Sequence, residues 1–308
     1  MPNPNPAQVY QVSDLAKMNF GPSPLAVLGY PVKHSVSPPM HNAALEEMSR
    51  EKPEYRDWSY YKFEVPPEKL IESLPLFAAK GFRGLNCTIP HKTVVLPALS
   101  EVSDGALRKG AVNTLKLKGE IYVGDNTDGF GLQKAVAEML GFSLVECPVI
   151  LLGAGGAARA AAAQCLEQGA SGLWIGNRNQ ERLQALVASL GEWAPQSEIH
   201  TFSLENIPYR DLPGGALVVN STSVGMQPED PLPIDPRKLS ACRGIYDMIY
   251  SPPKTLLMKS ALEVGIPAAN GVAMLVWQGV RALEIWTGES VLVGPMRAAC
   301  EKALMEKC

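Results

Sequence analysis

The sequence predicts an α/β protein with parallel strands, laid out as two successive α/β series. Three observations carry that reading. Strand-like and helix-like segments alternate over most of the 308 residues, as parallel sheets with covering helices require. The fully apolar run Val149 to Leu152 has the character of a central strand buried on both faces. The length suffices for two domains of ordinary size, each with its own core.

The elements follow in order. Leu25 to Tyr30 reads as a buried strand, and Ser37-Pro38-Pro39 opens a helix with Ser37 as N-cap and proline in the first turn. Trp58 to Val65 is a strand, Pro67 to Lys80 a helix stopped by Gly81, and Phe82 to Thr88 a strand. Pro90 opens a short helix. Ala111 to Lys116 and Glu120 to Val123 form a hairpin turning at Lys118-Gly119. The second series starts with a helix from Asp128 to Leu140. Strands at Val149 to Leu152, Leu173 to Gly176, Ala216 to Val219 and Gly244 to Met248 follow, with helices at Gly156 to Gln168 and Asn179 to Leu190. Gly271 to Thr287 and Pro295 to Lys307 close the chain as helices. The Pro/Asn-rich residues 1–24 read as a flexible leader without signal-peptide character.

Composition narrows the function classes. Apolar residues make up 46% and charged residues 19%, which fits a globular chain. A net charge of -3 gives no long-range pull on nucleic acid or acidic lipid, so neither is expected as a partner. No apolar run reaches the length of a membrane span. The six cysteines are scattered without C-x-x-C spacing, which suits reduced thiols in the cytoplasm. The four histidines lack zinc-helix spacing, so no metal site is expected. The sequence does not fix the oligomeric state and leaves a homodimer open.

Three segments carry chemistry. The first is Gly153-Ala154-Gly155-Gly156-Ala157-Ala158, a G-x-G-x-x-A turn between a strand and a helix. Small residues there admit a pyrophosphate to the backbone and to the helix N-terminus. The alternative is an ordinary tight turn with small residues for packing. After the next strand comes Asn177-Arg178-Asn179, with no carboxylate before Glu181. An arginine at that place clamps a 2′-phosphate, so NADP is favoured over NAD. The second segment is Asn86-Cys87-Thr88-Ile89-Pro90-His91-Lys92. Asn86 and Thr88 share a face at the C-terminal end of a strand, where open α/β sheets bind ligands. Lys92 can give a proton to a carbonyl oxygen as hydride arrives; taken alone it reads first as a surface charge. The third, Gly124-Asp125-Asn126-Thr127-Asp128-Gly129, fits a helix-capping loop or a carboxylate that orients Lys92.

Together these segments resemble the shikimate dehydrogenase family, from about Leu25 to the end. His34-Ser35-Val36-Ser37-Pro38 is similar to the family's S-x-S-P segment, whose two hydroxyls bond the substrate carboxylate. Asn86 to Lys92 is similar to N-V-T-x-P-x-K, with Cys87 in place of valine. The resemblance implies that Lys92 is catalytic, that Asn86 and Thr88 contact substrate, and that Asp128 pairs with Lys92. Gly110-Ala111-Val112-Asn113-Thr114 resembles the segment whose Asn, here Asn113, holds a ring hydroxyl. Asn177-Arg178-Asn179 is similar to N-R-T, with Asn179 replacing Thr at a 2′-phosphate contact. Val219 to Met226 resembles N-x-T-x-x-G-M. Tyr246 to Tyr250 and Asn270 to Gln278 resemble the stretches beside nicotinamide and substrate. By this resemblance Tyr250 and Gln278 touch substrate, and Met248 and Gly271 touch cofactor.

The implied fold has an N-terminal α/β substrate domain, 25–127 plus 271–308, and a Rossmann-type doubly wound dinucleotide domain, 128–270. The implied reaction is reversible reduction of 3-dehydroshikimate by NADPH in a cleft between the domains. One rival is the quinate/shikimate dehydrogenase branch; Ser37, where Thr is frequent there, and Arg178 argue against it. A second is a non-catalytic sensor of shikimate or dinucleotide; the presence of both Lys92 and Asp128 argues against that.

Overall fold

A computed structural model describes residues 4–306, which divide into two compact units. The first takes the chain up to Thr127 and again from Val276; the second is Asp128–Leu275.

The first unit contains β1 (Val9–Gln11), β2 (Ser23–Gly29), α1 (Ser37–Glu51), β3 (Trp58–Glu64), α2 (Leu70–Ala79), β4 (Gly84–Cys87) and α3 (His91–Val94). It continues with β5 (Glu101–Val102), α4 (Asp104–Lys109), β6 (Thr114–Lys118) and β7 (Ile121–Asp125). These seven strands form one sheet in the order β1-β3-β2-β4-β6-β7-β5. All seven residues of β2 are buried, as its central place demands. β4 pairs in parallel with β2 and antiparallel with β6, whose hairpin with β7 completes that side. Asn86 therefore lies opposite Thr114, next to Asn113.

The second unit contains α5 (Asp128–Leu140), β8 (Pro148–Leu152), α6 (Gly156–Glu167), β9 (Gly172–Asn177), α7 (Gln180–Gly191), β10 (Ile199–Ser203), β11 (Leu217–Asn220), β12 (Gly244–Asp247), α8 (Leu256–Glu263) and β13 (Ala268–Ala269). Its sheet runs β10-β9-β8-β11-β12-β13, entirely parallel. Counted within the unit, that is the 3-2-1-4-5-6 order of a doubly wound dinucleotide fold, with its switch point between β8 and β11. Ala158, Ala161 and Ala162 on α6 are buried in the same core as Val149 and Leu151 of β8, so the helix lies close on the sheet. α9 (Val272–Thr287) crosses the division, and α10 (Val293–Met305) follows. The first turn of α9 belongs to the second unit's core through Ala273 and Met274. The Met274 N–H also donates to the Tyr246 hydroxyl at 3.1 Å. The division thus falls inside α9, five residues beyond the expected 270.

Residues 4–24 are not a flexible leader. β1 pairs with β3, Tyr10 opposite Phe63. Tyr10 and Phe20 are 2% and 3% exposed, with ring centroids 5.1 Å apart at right angles. Phe20 also meets Phe63 and Phe82 at 5.2 and 5.5 Å. Each buried ring contributes roughly 1.5–3 kcal/mol, enough to order a short segment whose composition looks like coil. Residues 1–3 of that expectation lie outside the described residues, as does Lys307 of the last helix. Two boundaries also differ. Pro67–Lys69 form a 3-10 turn before α2 begins at Leu70. Ser37 is the first residue of α1 and not its N-cap, because the Ser35 hydroxyl accepts the Ser37 N–H at 3.3 Å. Among the described residues, no helix is long and apolar enough to cross a membrane.

Candidate active site

The first unit assembles a connected set of neutral donors and acceptors from five elements. Tyr60, on β3, donates its hydroxyl to Asn86 Oδ1 at 2.7 Å and shares a hydrogen bond with the Ser37 side chain. Burial pushes the Tyr60 phenol well above its ordinary pKa, so it stays a donor. Asn86, on β4, gives its amide hydrogens to the Asn113 carbonyl at 2.9 Å and to Thr114 Oγ1 at 3.2 Å. The Asn113 amide oxygen accepts from the Thr127 N–H at 2.8 Å and from Thr114 Oγ1 at 2.9 Å. Its nitrogen donates to Thr127 Oγ1 at 2.9 Å and to Gln278 Oε1, on α9, at 3.4 Å. Ser37, Asn86, Asn113 and Gln278 are thereby joined through Tyr60, Thr114 and Thr127. A buried network satisfied in this way fixes its amide orientations. It suits a ligand rich in hydroxyl groups.

Thr88 is half-buried after β4, with its methyl against Gly29; a Cβ at Gly29 would come within 2.5 Å of it. Lys92 is half-buried on α3, and its carbonyl accepts the Val112 N–H at 2.7 Å, which ties this turn to the segment leading into Asn113. Cys87 is 1% exposed, and burial pushes its thiol up to about 12, so it packs where the family has valine. The two aspartates of the third segment separate in role. Asp125 accepts from the Ser103 hydroxyl at 2.8 Å and from the Asn126 N–H at 2.7 Å, and so holds the loop. Asp128 opens α5 in the second unit and is 3% exposed.

The second unit brings the residues expected to bind the dinucleotide together on its own sheet. Gly153 has φ +115°, and a Cβ there would lie 2.6 Å from Ser221 Oγ; no other residue type fits without strain. Gly155 caps α6 with no side-chain hydrogen bond, so the first N–H groups of this twelve-residue helix have no side-chain acceptor. Those groups, beside Ala154, Gly156 and Ala157, fit a pyrophosphate. At the end of β9, Asn177 donates to the Asn179 carbonyl at 2.7 Å. Asn179 caps α7, its side chain accepting from the Arg182 N–H at 2.8 Å. That explains how Asn serves where the family has Thr: both are N-cap residues. Arg178 is exposed between them, and its charge helps to keep Asp230 below the usual carboxylate range, after the N–H groups of Gln227 and Gly225. Gly271 abuts Met248, whose carbonyl oxygen would lie 2.1 Å from a Cβ there. Tyr250 is half-buried beyond β12 in this unit.

Sequence reasoning missed the residues that hold these positions. Asp247 accepts from Asn220 at 3.0 Å, from the Ile249 N–H at 3.1 Å and from Thr255 at 2.7 Å. Burial raises its carboxyl against those three bonds. Tyr60 and Thr114 were missed because a tyrosine or threonine in a strand carries no local signal of a buried partner. Among the described residues no cluster of His, Cys, Asp and Glu is placed to hold a metal ion.

Comparison with known proteins places this arrangement. Residues 27–115 match the model of the shikimate dehydrogenase substrate binding domain, and 271–301 match the shikimate 5′-dehydrogenase C-terminal domain. A shikimate dehydrogenase (NADP(+)) of Geobacter sp. (strain M21) is 40% identical over 279 residues, 90% of this chain and 93% of that one. The shikimate 5-dehydrogenase of Thermus thermophilus, solved with NADP(H) and shikimate, superposes with a TM-score of 0.79 at 34% identity, covering 91% and 99%. The quinate dehydrogenase of Corynebacterium glutamicum, solved with NAD, gives 0.81 at 28% identity, covering 91% and 98%.

Proposed function

The chain belongs to the shikimate dehydrogenase family, and from that premise we propose that Lys92 and Asp128 handle the proton of its reaction. The enzyme is an NADP-dependent oxidoreductase that reduces 3-dehydroshikimate reversibly to shikimate, a step toward the aromatic amino acids. The bound cofactor supplies or takes the hydride. Ser35 and Ser37 bond the substrate carboxylate; Asn86, Thr88, Asn113, Tyr250 and Gln278 read the ring hydroxyls. Lys92 gives the proton to the ketone oxygen as reduction proceeds and takes it back in the reverse direction. Asp128 orients the Lys92 ammonium. Gly153 to Ala157 and Gly271 leave room for the pyrophosphate and nicotinamide, with Met248 beside the latter. Asn177, Arg178 and Asn179 meet the 2′-phosphate.

The observation that carries this reading is the hydrogen-bonded run from Ser37 through Tyr60, Asn86 and Asn113 to Gln278. It offers oriented neutral groups to a polyhydroxylated ring, on the unit that carries Lys92. General acid–base help of this kind is worth roughly 10²–10⁴ in rate. Lys92→Ala should lower kcat for shikimate oxidation by about that factor, with an unchanged circular dichroism spectrum. Wild-type turnover in the variant would remove Lys92 from the chemistry. The scattered cysteines, without C-x-x-C spacing, fit a cytoplasmic location. A homodimer would show as a doubled mass in light scattering.

A further inference from the structure

One buried group lies beneath the substrate-reading residues without being one of them. His41 is on α1, four residues after Ser37, so the two share a helix face. The imidazole is 0% exposed. Its Nδ1 lies 2.9 Å from the Ser37 carbonyl oxygen. A carbonyl only accepts, so Nδ1 carries the hydrogen and donates. The flat of the ring stacks on Tyr60, with centroids 4.1 Å apart and planes 13° from parallel. Trp286 lies beside both rings, 5.8 Å from His41 and 6.1 Å from Tyr60, its indole N–H donating to the Leu115 carbonyl at 2.9 Å. Gly279 leaves the remaining room, since a Cβ there would come 3.3 Å from His41 Cε1.

We propose that His41 is a positioning residue for substrate binding: its N–H holds the Ser37 backbone and its ring holds Tyr60, so one imidazole places both Ser37 and Asn86. The link to Asn86 is the Tyr60 hydroxyl, which reaches Asn86 Oδ1 at 2.7 Å. Asn86 spends both amide hydrogens on Asn113 and Thr114. With Tyr60 on one lone pair of Oδ1, Asn86 has only the second lone pair left for a ligand, and the ring hydroxyl it meets must donate. A shift of Tyr60 would disturb that acceptor, and a shift of Ser37 would disturb the carboxylate contact. Both residues belong to the first unit, whereas the proposed cofactor residues belong to the second. This inference rests on the reading that Ser37 and Asn86 bind substrate.

Two variants separate the contributions. His41→Phe keeps a stacking ring and removes the donor. His41→Asn keeps a donor near the Nδ1 position and removes the ring. Steady-state kinetics with shikimate and NADP+ should give His41→Phe a shikimate KM raised about tenfold, the scale of one lost buried hydrogen bond. Its kcat should stay within about threefold and its NADP+ KM within about twofold. His41→Asn should raise the shikimate KM less than His41→Phe does. A merely structural histidine would lower the thermal midpoint and leave both KM values alone. An unchanged shikimate KM in folded variants overturns the inference, as does a parallel rise in both KM values. Should His41→Phe not fold, His41→Asn decides alone by the same split. A wild-type protein that neither binds nor oxidises shikimate overturns the functional reading and this inference together. An active wild type whose variants lack the split overturns the inference only.

Discussion

The residues proposed to read substrate in the first unit and those proposed to hold cofactor in the second are built by opposite means. Ser37, Tyr60, Asn86, Asn113 and Gln278 come from separate elements, and the Asn113–Gln278 bond spans 165 positions of sequence. They work through side-chain hydrogen bonds that depend on one another. Gly153 to Ala157 are consecutive and work through backbone shape: one left-handed glycine and one uncapped helix start. Damage should therefore spread in the first set and stay local in the second.

The strongest way to break that contrast is to remove the hub. Asn86→Ala takes one of their hydrogen-bond partners from the Tyr60 hydroxyl, the Asn113 carbonyl and Thr114 Oγ1, all deeply buried, and leaves a cavity at the centre of the network. The expected loss is roughly 2–5 kcal/mol of stability together with the shikimate site, read by urea unfolding and by calorimetric titration of shikimate. A fully stable Asn86→Ala protein would mean that the network is not coupled.

Acid should reveal the same asymmetry. Burial holds His41 at about 4 against an ordinary 6.5, and burial lowers His91 in the same direction. Both lie in the first unit. Because the unfolded chain takes up the proton first, this stability is intact above 6.5 and drains away as pH falls toward about 4. The His41 share is roughly 3 kcal/mol. Urea unfolding at about pH 7 and about pH 4.5 should show the drop, smaller in His41→Asn. An equal drop in that variant would assign the acid sensitivity to other groups.

The second unit should answer more narrowly. Arg178 is exposed, and its influence on Asp230 comes after that of the Gln227 and Gly225 N–H groups, which remain without it. Arg178→Ala should raise the NADP+ KM by about 10- to 100-fold, the scale of lost charge-assisted bonds to a phosphate. The NAD+ KM and the thermal midpoint should barely move. An equal effect on both cofactors would show that Arg178 does not read the 2′-phosphate. Gly153→Ala acts through backbone strain of about 1–3 kcal/mol. It should raise the NADP+ KM while the shikimate KM stays within about twofold; a matching rise in the shikimate KM would contradict local action.

The same contrast explains what could be read in advance. The turn at Gly153 and the arginine at 178 announce themselves because strand, turn and helix are neighbours in sequence. The parallel character of the second unit's sheet follows from that alternation, whereas the strand order does not. Lys92, Asn86 and Asn113 were visible only as motifs, since no spacing rule brings β4, β6 and α9 side by side. Tyr60 and His41 were invisible: a tyrosine in a strand and a histidine in a helix both read as ordinary core. The N-terminal segment misled for a related reason. Three residues of β1 carry no usable periodicity, and the aromatic contacts of Tyr10 and Phe20 are long-range.

The central claim is that these two sets of residues serve shikimate and NADP. It is tested most directly by kcat/KM measured for shikimate and for quinate, each with NADP+ and with NAD+. The highest value is expected for shikimate with NADP+, the preference for NADP+ disappearing in Arg178→Ala. A higher value for quinate with NAD+, or no oxidation of shikimate with either cofactor, would contradict it.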